Sequence, residues 1–269
     1  MNCVFICVFN NPNYVNMLYL LLDSIYRYGL LDKDGLSEIL IYTSSRFSNM
    51  IKQSPFYKKD LIRFEINDTY SSVEKACKAR LDLFDLLVAI TNKGENKHKY
   101  NKILYLDTDI IVKGDLNLVF DVCVEDKLYA LEEGSIDSDS DFWGKTLFQN
   151  AGDLELYTNK STATVTAFST GILIFNNCET IKKLFIDIRN DMVARPLKFY
   201  CQDQPYVVYN AFKYDLYDNQ ALKPFAVNND HDVYSSKIIH HFPGDPGWHQ
   251  NKMTHMLRFL SGLNQMVII

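Results

Sequence analysis

Residues 103–112, ILYLDTDIIV, form a dense apolar segment that is interrupted by two aspartates. This concentration of Ile, Leu and Tyr predicts a strand buried on both faces, as in a parallel sheet. Asp107 and Asp109 follow the apolar core of that strand, and open α/β sheets bind ligands at the carboxyl ends of their strands. Carboxylate oxygens suit Mg²⁺ or Mn²⁺, and a cation would offset the cost of burying two acids. The alternative is a polar turn whose aspartates cap backbone amides.

Apolar segments and helix-start signals alternate along the rest of the chain. Strands are predicted at 4–9, 39–43, 61–66, 128–132, 171–175, 222–227 and 237–241. Helices are predicted at 12–28, 71–91, 177–192, from 202 onward and at 252–260. This alternation predicts an α/β protein with a mostly parallel central sheet flanked by helices. The polar stretch 133–168 is predicted to be a long functional loop, and 92–101 an exposed insertion.

Composition narrows the range of functions. The formal net charge of −5 argues against a broad basic face, so nucleic acid is not an expected partner. No segment approaches about 18 consecutive apolar residues, so no membrane span is expected. The start, MNCVFICVFNNP, lacks a basic region and a small-residue cleavage site, which favours a first strand over a signal peptide and predicts a cytoplasmic protein. Six scattered cysteines without a Cys-x-x-Cys pair predict reduced thiols and no zinc site.

A second polar cluster lies near the end of the chain. Residues 238–249, IIHHFPGDPGWH, combine a strand that ends on two histidines with a Pro/Gly loop. Neighbouring side chains of a strand face opposite sides, so only one of His240 and His241 can point into a given cleft. Imidazole is an accepted ligand of Mn²⁺, and one histidine is therefore predicted to join the two aspartates. A hydrogen-bonded structural role is the alternative for either histidine.

Four motifs in this order resemble a known family: YLDTD at 105–109, FSTGILIFN at 168–176, QDQP at 202–205 and HFPG at 241–244. The set resembles the glycogenin-like retaining glycosyltransferases, glycosyltransferase family 8, over residues 4–248. The resemblance implies one Rossmann-like domain of the glycosyltransferase-A type over residues 1–269. Its nucleotide-binding part would be about 1–132 and its acceptor-side part about 133–269. It also implies a metal-dependent reaction, with Mn²⁺ or alternatively Mg²⁺, that moves a hexose from a UDP-sugar to a glycan or protein acceptor.

The resemblance also implies roles for individual residues. Asp107, Asp109 and His241 match the family's metal ligands, and Asp203 and Gln204 match the pair beside the transferred sugar. The residues matched to donor binding are Phe9, Asn10, Asn11, Tyr14, Arg80, Ser169, Thr170, Gly171 and Gly244. Each of the less specific matches has a simpler alternative: Tyr14 can be a core residue, Arg80 a solvated helical charge and Asp203 a helix cap.

One departure from the family pattern bears on activity. The family follows its His-Phe-x-Gly with Lys-Pro-Trp, whereas this chain has Asp245-Pro246-Gly247-Trp248 and no lysine. Phosphate neutralisation is then left to the metal, a backbone amide at Gly244 or Gly247, or His249. A non-catalytic nucleotide-sugar-binding protein is therefore one alternative function. A nucleotidyltransferase is a weaker one, because residues 9–14 contain no phosphate loop rich in Gly, Lys or Arg.

Two further expectations follow from the sequence. If Asp109 is an uncompensated metal ligand, Asp109→Asn is expected to abolish Mn²⁺-dependent donor binding while leaving the melting temperature of the metal-free protein unchanged or higher. The aromatic pair Phe142-Trp143, in the polar stretch, is expected to be exposed and to offer a surface for a homodimer.

Overall fold

The computed structural model describes residues 1–31, 37–92, 100–138, 141–152, 165–197, 203–230, 232–244 and 249–266. The strands are β1 (Asn2–Val8), β2 (Ser37–Thr43), β3 (Ile62–Ile66), β4 (Lys102–Leu106), β5 (Ile110–Val112), β6 (Leu128–Ser135), β7 (Thr166–Asn176), β8 (Tyr217–Asp218), β9 (Ala226–Asn228) and β10 (Ile239–His241). The α-helices are α1 (Pro12–Tyr28), α2 (Ser45–Lys52), α3 (Val73–Ala76), α4 (Leu83–Asn92), α5 (Asn117–Phe120), α6 (Lys145–Asn150), α7 (Glu179–Ala194), α8 (Gln204–Lys213) and α9 (His249–Met266). Two 3₁₀ turns, Ala79–Asp82 and Asp141–Trp143, complete the described helical structure.

The central sheet has seven strands in the order β3-β2-β1-β4-β7-β6-β8. The pairs β3–β2, β2–β1, β1–β4 and β6–β8 are parallel, whereas β7 runs antiparallel to both β4 and β6. Apolar clusters on the two faces of the sheet cover these strands almost completely. The predicted α/β class with a mostly parallel sheet flanked by helices is confirmed.

The predicted strand after the aspartates belongs to a different sheet. Residues 110–112 form β5, which pairs with β10 and, through it, with β9 in a separate three-stranded sheet. The chain therefore leaves the central sheet at Leu106, passes through the Asp-Thr-Asp segment and enters the small sheet at Ile110. The two aspartates lie at the junction of the two sheets.

Two predicted elements have a different form in the structure. The single helix predicted over 71–91 is split into α3, a 3₁₀ turn that carries Arg80, and α4. The first segment is capped by Ser72, whose hydroxyl accepts a hydrogen bond from the Lys75 amide at 3.3 Å. Mid-helix 3₁₀ turns often redirect a functional side chain, and hydrophobic periodicity does not detect them.

The polar stretch 133–168 contains more regular structure than predicted. Strand β6 continues to Ser135, a 3₁₀ turn and α6 follow, and β7 begins at Thr166; residues 139–140 and 153–164 lie outside the described part of the chain. Phe142 and Trp143 are only half-exposed, and the Trp143 ring lies directly over Gly134. The expected exposed aromatic surface is therefore wrong, because the indole covers a glycine of β6.

Several boundary predictions shift by a few residues. Helix α7 begins at Glu179, two residues later than predicted, and the last strands are 226–228 and 239–241, shorter than predicted. The C-terminal helix is longer than the predicted 252–260, beginning at His249 and ending at Met266. Within the described ranges, no helix combines the length and apolar character needed to cross a membrane. The cysteines of those ranges are free thiols, and Cys201 lies outside them.

Candidate functional site

Strand register brings the two aspartates and one histidine together. Asp107 follows β4 and Asp109 precedes β5, while His241 is the last residue of β10 and pairs with Ile110 across the small sheet. The Phe242 amide donates to the Asp109 carbonyl and the Asp107 amide donates to the Gly171 carbonyl, both at 2.9 Å. One potential ligand atom from each of Asp107, Asp109 and His241 lies within 4.8 Å of the others. The predicted convergence of three distant side chains is therefore present.

The Asp109 carboxylate has two cationic partners. His241 Nε2 lies 3.5 Å from Oδ1, and Lys252 Nζ of α9 lies 2.5 Å from Oδ2. Burial alone would raise the pKa of Asp109, but His241 and Lys252 together hold it well below its usual range. Burial likewise opposes the charged form of His241, and Asp109 overcomes this and raises the pKa of the imidazole. Asp109 is therefore a fully ionised, paired carboxylate, which the sequence did not predict.

A hydrogen-bond chain orients the His241 ring. Its Nδ1 lies 2.8 Å from Oδ1 of Asn228, the residue beside it in the parallel β9–β10 pair. The Asn228 amide nitrogen donates to Glu133 Oε2 at 2.8 Å and to Ser169 Oγ at 3.3 Å, which fixes Oδ1 toward the histidine. When the imidazole is neutral and Nδ1 donates to Asn228, the lone pair of Nε2 faces the aspartates, as metal binding requires. Burial raises the pKa of Glu133, the end of this chain.

Arg80 connects the aspartates to the start of α8. Its Nε lies 2.7 Å from Asp203 Oδ2, one of its terminal nitrogens lies 3.8 Å from Asp107 Oδ1, and the same nitrogen donates to the Thr170 carbonyl. The guanidinium also lies over the Tyr105 ring, 4.5 Å from its centroid, and the Tyr105 hydroxyl donates to Asp107. Arg80 is a buried link between two carboxylates, which excludes the alternative of a solvated helical charge.

Asp203 is nearly buried and does not cap α8 with its side chain. Burial raises its pKa, and Arg80 opposes that effect. Among the described residues, none donates a well-aligned hydrogen bond to Oδ2, although Arg80 lies close to it. This carboxylate oxygen therefore keeps capacity for a further partner, and the helix-cap alternative does not hold.

Gln204 is engaged at both ends of its amide. Its Oε1 accepts from the Thr170 amide and hydroxyl, both at 3.2 Å, and its Nε2 donates to the Phe142 carbonyl at 3.3 Å. Gln204 thus ties β7 to the 3₁₀ turn at 141–143. A contact with a substrate would replace one of these bonds.

The first strand-to-helix turn lies beside this cluster. Asn10 adopts a left-handed backbone (φ 67°), and Asn11 caps α1 by accepting from the Asn13 amide at 2.9 Å. The Phe9 ring is buried against Tyr42 and Tyr70. Tyr14 is half-buried. Burial is the larger cause and the Asp109 carboxylate the next one, and together they raise the pKa of the Tyr14 hydroxyl to about 12.

The remaining predicted site residues lie at the edges of this arrangement. Ser169 and Thr170 are buried on β7, where Ser169 accepts from Asn228 and Thr170 from Arg80. Gly244 is exposed and is the last residue of the described range 232–244. Residues 245–248, where the chain departs from the family pattern, lie outside the described residues.

Comparison with known proteins identifies the family. The family model described as glycosyl transferase family 8 matches residues 39–217, more than half of the chain. The chain belongs to glycosyl transferase family 8. The matched region includes Asp107, Asp109, Arg80 and Asp203 but ends before His241, whose place in the site therefore rests on geometry. A search of curated protein sequences found no match.

Solved glycosyltransferases share the fold. The bifunctional glycosyltransferase WbbM in its apo form aligns with a TM-score of 0.58 and 16% identity, over 95% of this chain and 49% of that one. The chain thus spans about half the length of WbbM. The galactosyltransferase LgtC in complex with donor and acceptor sugar analogues aligns with a TM-score of 0.58 and 17% identity, over 98% of this chain and 95% of that one. Mouse xyloside xylosyltransferase 1 in its apo form aligns with a TM-score of 0.56 and 10% identity, over 91% of this chain and 98% of that one. At these identities the likeness establishes the fold, the glycosyltransferase-A type.

The cluster of this family 8 member fits a divalent cation. Its donor set is two carboxylates and one imidazole, which suits Mn²⁺ and, less well, Mg²⁺. The Lys252 ammonium lies against Oδ2 of Asp109, whereas His241 faces Oδ1 of the same carboxylate. Asn228 supplies the outer hydrogen bond that metal-bound histidines usually have. Asp107, Asp109 and His241 are thus the residues that would hold the ion.

Sequence reasoning missed Asn228, Glu133 and Lys252. Lys252 had a detectable signal, because Met256, Phe259 and Leu263 follow it at helical spacing and are buried, which places the lysine on an apolar helix face. No sequence pattern pointed to Asn228, because its position opposite His241 depends on the pairing of β9 with β10. Glu133 was assigned to a loop, but it lies within β6.

A substitution at Gly171 tests the position of His241. A Cβ added at Gly171 would lie 2.3 Å from Cε1 and 2.7 Å from Nε2 of that histidine, so the ring must move. We expect Gly171→Ala to weaken Mn²⁺ binding by roughly tenfold or more, the usual effect of losing the orientation of a metal ligand. Isothermal titration with Mn²⁺ measures this change.

The matched control is Gly114→Ala, whose Cβ would lie 3.1 Å from the side chain of Ile238, the residue that precedes β10. Both variants are expected to lose some thermal stability through crowding, but only Gly171→Ala should lose Mn²⁺ affinity. Equal Mn²⁺ affinities in the two variants would contradict a metal-binding role for His241.

Proposed function

We propose that this chain is a retaining hexosyltransferase that moves a sugar, with glucose as the leading candidate, from a UDP-sugar to a hydroxyl of a glycan or protein. The observation that supports this most strongly is the convergence of Asp107, Asp109 and His241 at the end of β4, in a family 8 fold. Mn²⁺ is the proposed cofactor, with Mg²⁺ as the alternative. Family membership itself implies a nucleotide-sugar donor and an acceptor.

The donor would lie between the first strand-to-helix turn and the metal cluster. Tyr14, beside Asp109, is positioned to contact the nucleoside, and the Asn10–Asn11 turn lies at the end of β1 next to it. Thr170 and Gly171 of β7 form the adjacent wall. A divalent cation held by the three ligands would act as a Lewis acid that neutralises charge on the departing diphosphate.

The chain's own residues account for the remaining steps. Transfer breaks the bond between the anomeric carbon and the diphosphate oxygen, and positive charge grows on the sugar. The acceptor oxygen then forms a bond to the anomeric carbon, and its proton passes to the departing diphosphate. Asp203, with one carboxylate oxygen lacking an aligned donor among the described residues, is positioned to stabilise that charge. Arg80 and Tyr105 hold Asp107 in place, and Asn228 orients the His241 ring so that Nε2 faces the aspartates. Gln204 positions β7 against the Phe142 turn.

The acceptor is proposed to bind in a cleft next to His241. This cleft, of about 490 Å³, is bordered by Glu132, Glu133, Lys223, Asn228, Asn229 and Lys237, among others. Asn228 contacts His241 and also lines the cleft, so the cleft adjoins the metal cluster. Acidic, basic and amide groups together suit the hydroxyls of a sugar. This arrangement supports a nucleotide-binding part at about 1–132 and an acceptor-side part at about 133–269.

The test is a panel of UDP-sugars with Mn²⁺, with released UDP and donor affinity both measured. Release of UDP with at least one hexose donor, lost on chelation of the metal, is the expected result. Donor binding without release, with or without candidate acceptors, would instead support a non-catalytic nucleotide-sugar-binding protein. The absence of lysine and arginine from residues 242–248 is the observation that favours this second function.

A further inference from the structure

Lys252 is a buried cation that the proposed mechanism does not use. It lies in the first turns of α9, on the face that packs through Met256 and Phe259 against the small sheet, and its side chain is only 7% exposed. A lysine ammonium in such surroundings requires a compensating charge. Asp109 Oδ2, at 2.5 Å, is that partner.

The same carboxylate is one of the three proposed metal ligands. Lys252 lies against Oδ2 of Asp109, whereas His241 faces Oδ1. An ammonium and a divalent cation on the two oxygens of one carboxylate still repel each other in a partly buried site. Metal binding at Asp109 therefore weakens the Lys252 contact, and the ammonium needs another anion. Lysine has a flexible four-carbon stem, so its head can move while the stem stays packed on the helix.

Charge balance identifies that anion. Asp107, Asp109 and Asp203 carry three negative charges, and Arg80 and Lys252 carry two positive ones. A divalent cation together with a neutral His241 leaves an excess of one positive charge. A nucleoside diphosphate sugar, with two negative charges, is then attracted to a site of net positive charge. Without Lys252 the metal-loaded site would be neutral and would offer the diphosphate no net positive charge.

No other cationic side chain comes from the loop that precedes α9. Residues 242–248 contain neither Lys nor Arg. In the described ranges, Lys252 is the lysine in contact with the Asp107–Asp109–His241 cluster, while Arg80 is held by Asp203 and the Thr170 carbonyl. Lys252 is thus available to a diphosphate once the metal takes Asp109.

We propose that Lys252 is the diphosphate-binding cation of this chain, and that it neutralises Asp109 until a metal ion takes its place. This inference rests on the proposed function. It assigns a donor-binding role to a residue of the C-terminal helix, outside the region that the family model matches. Lys252 thus has one role in each state of the site. It is the counter-ion of Asp109 when no metal is bound, and it binds the diphosphate when both metal and donor are bound.

The test compares Lys252→Met with the wild-type protein, using isothermal titration with Mn²⁺ alone and then with UDP at saturating Mn²⁺. Mn²⁺ alone is expected to bind the variant more tightly, by roughly threefold or more, because a competing positive charge is gone. UDP is expected to bind it about tenfold or more weakly, since one charge-assisted hydrogen bond is lost. Opposite changes in the two affinities are the signature of this role, and a purely structural lysine would not produce them.

Arg258→Met is the matched control, because Arg258 is an exposed cation on the same helix and should leave both affinities unchanged. Should Lys252→Met unfold, Lys252→Gln gives the same comparison, with an amide that still donates to Asp109. Unchanged UDP affinity in the Lys252 variant overturns the inference and leaves the proposed function intact. Failure of the wild-type protein itself to bind UDP with Mn²⁺ overturns the proposed function and this inference together.

Discussion

Asp109→Asn is expected to abolish Mn²⁺-dependent UDP binding, with a loss of roughly a hundredfold or more, because a neutral amide replaces one of only two carboxylate ligands. The change removes the oxygen charge that a hard cation requires while leaving the shape of the side chain almost unchanged. Isothermal titration of UDP, with and without Mn²⁺, measures this effect.

The structure also changes what this variant should do to stability. If Asp109 were an uncompensated acid beside Asp107, replacing it with a neutral residue would stabilise the metal-free protein. Oδ2 of Asp109, however, lies 2.5 Å from the buried Lys252 ammonium, so this carboxylate is already compensated. Breaking a buried ion pair from one side costs about 3 kcal/mol. We therefore expect the metal-free variant to melt at a lower temperature than the wild type, opposite to the expectation from sequence.

Asp121→Asn is the control for both measurements, because Asp121 is exposed and lies outside the cluster. It should keep the wild-type melting temperature and Mn²⁺-dependent UDP affinity. An Asp109→Asn protein that binds UDP with the same Mn²⁺ dependence as this control would contradict the metal assignment.

Asp203→Asn is expected to lower kcat by roughly a hundredfold or more, the scale of losing one charge that stabilises a transition state. Asp203 lies 2.7 Å from Arg80 and outside the three metal ligands, so UDP affinity should change little. Steady-state kinetics with the donor identified in the UDP-sugar panel, together with UDP titration, separate the two quantities.

Asp215→Asn is a suitable control for Asp203→Asn. Asp215 is exposed, and its left-handed backbone (φ 54°) accommodates asparagine without strain. A kcat of Asp203→Asn within about fivefold of this control would remove Asp203 from the reaction and leave it as a partner of Arg80 only. A large loss of UDP affinity would place its effect on donor binding instead.

The central part of the site could be predicted because it depends on local patterns. Asp107 and Asp109 follow a strongly apolar strand, so the rule that ligands bind at strand ends placed them at a site. A histidine partner was expected from the end of another strand, and the resemblance to the family selected His241 over His240. The mostly parallel sheet followed from the alternation of strands and helices in the same way.

The surroundings of these ligands depend on tertiary contacts that no local pattern encodes. Asn228 reaches His241 only through the pairing of β9 with β10. The 3₁₀ turn that directs Arg80 toward Asp203 interrupts a segment whose apolar periodicity predicts one continuous helix. Lys252 is intermediate: its helix face was recognisable as buried, but its partner Asp109, 143 positions earlier, was not.

The most direct test of the account is the anomalous diffraction of Mn²⁺ in a crystal grown with UDP. We expect one manganese peak at about 2.0–2.6 Å from an oxygen of Asp107, an oxygen of Asp109 and Nε2 of His241, the distances that hard divalent cations keep to their ligands. The same ion should contact oxygens of the diphosphate. A manganese ion bound elsewhere, or UDP bound with these three side chains turned away from it, would contradict the claim that they form the catalytic metal site.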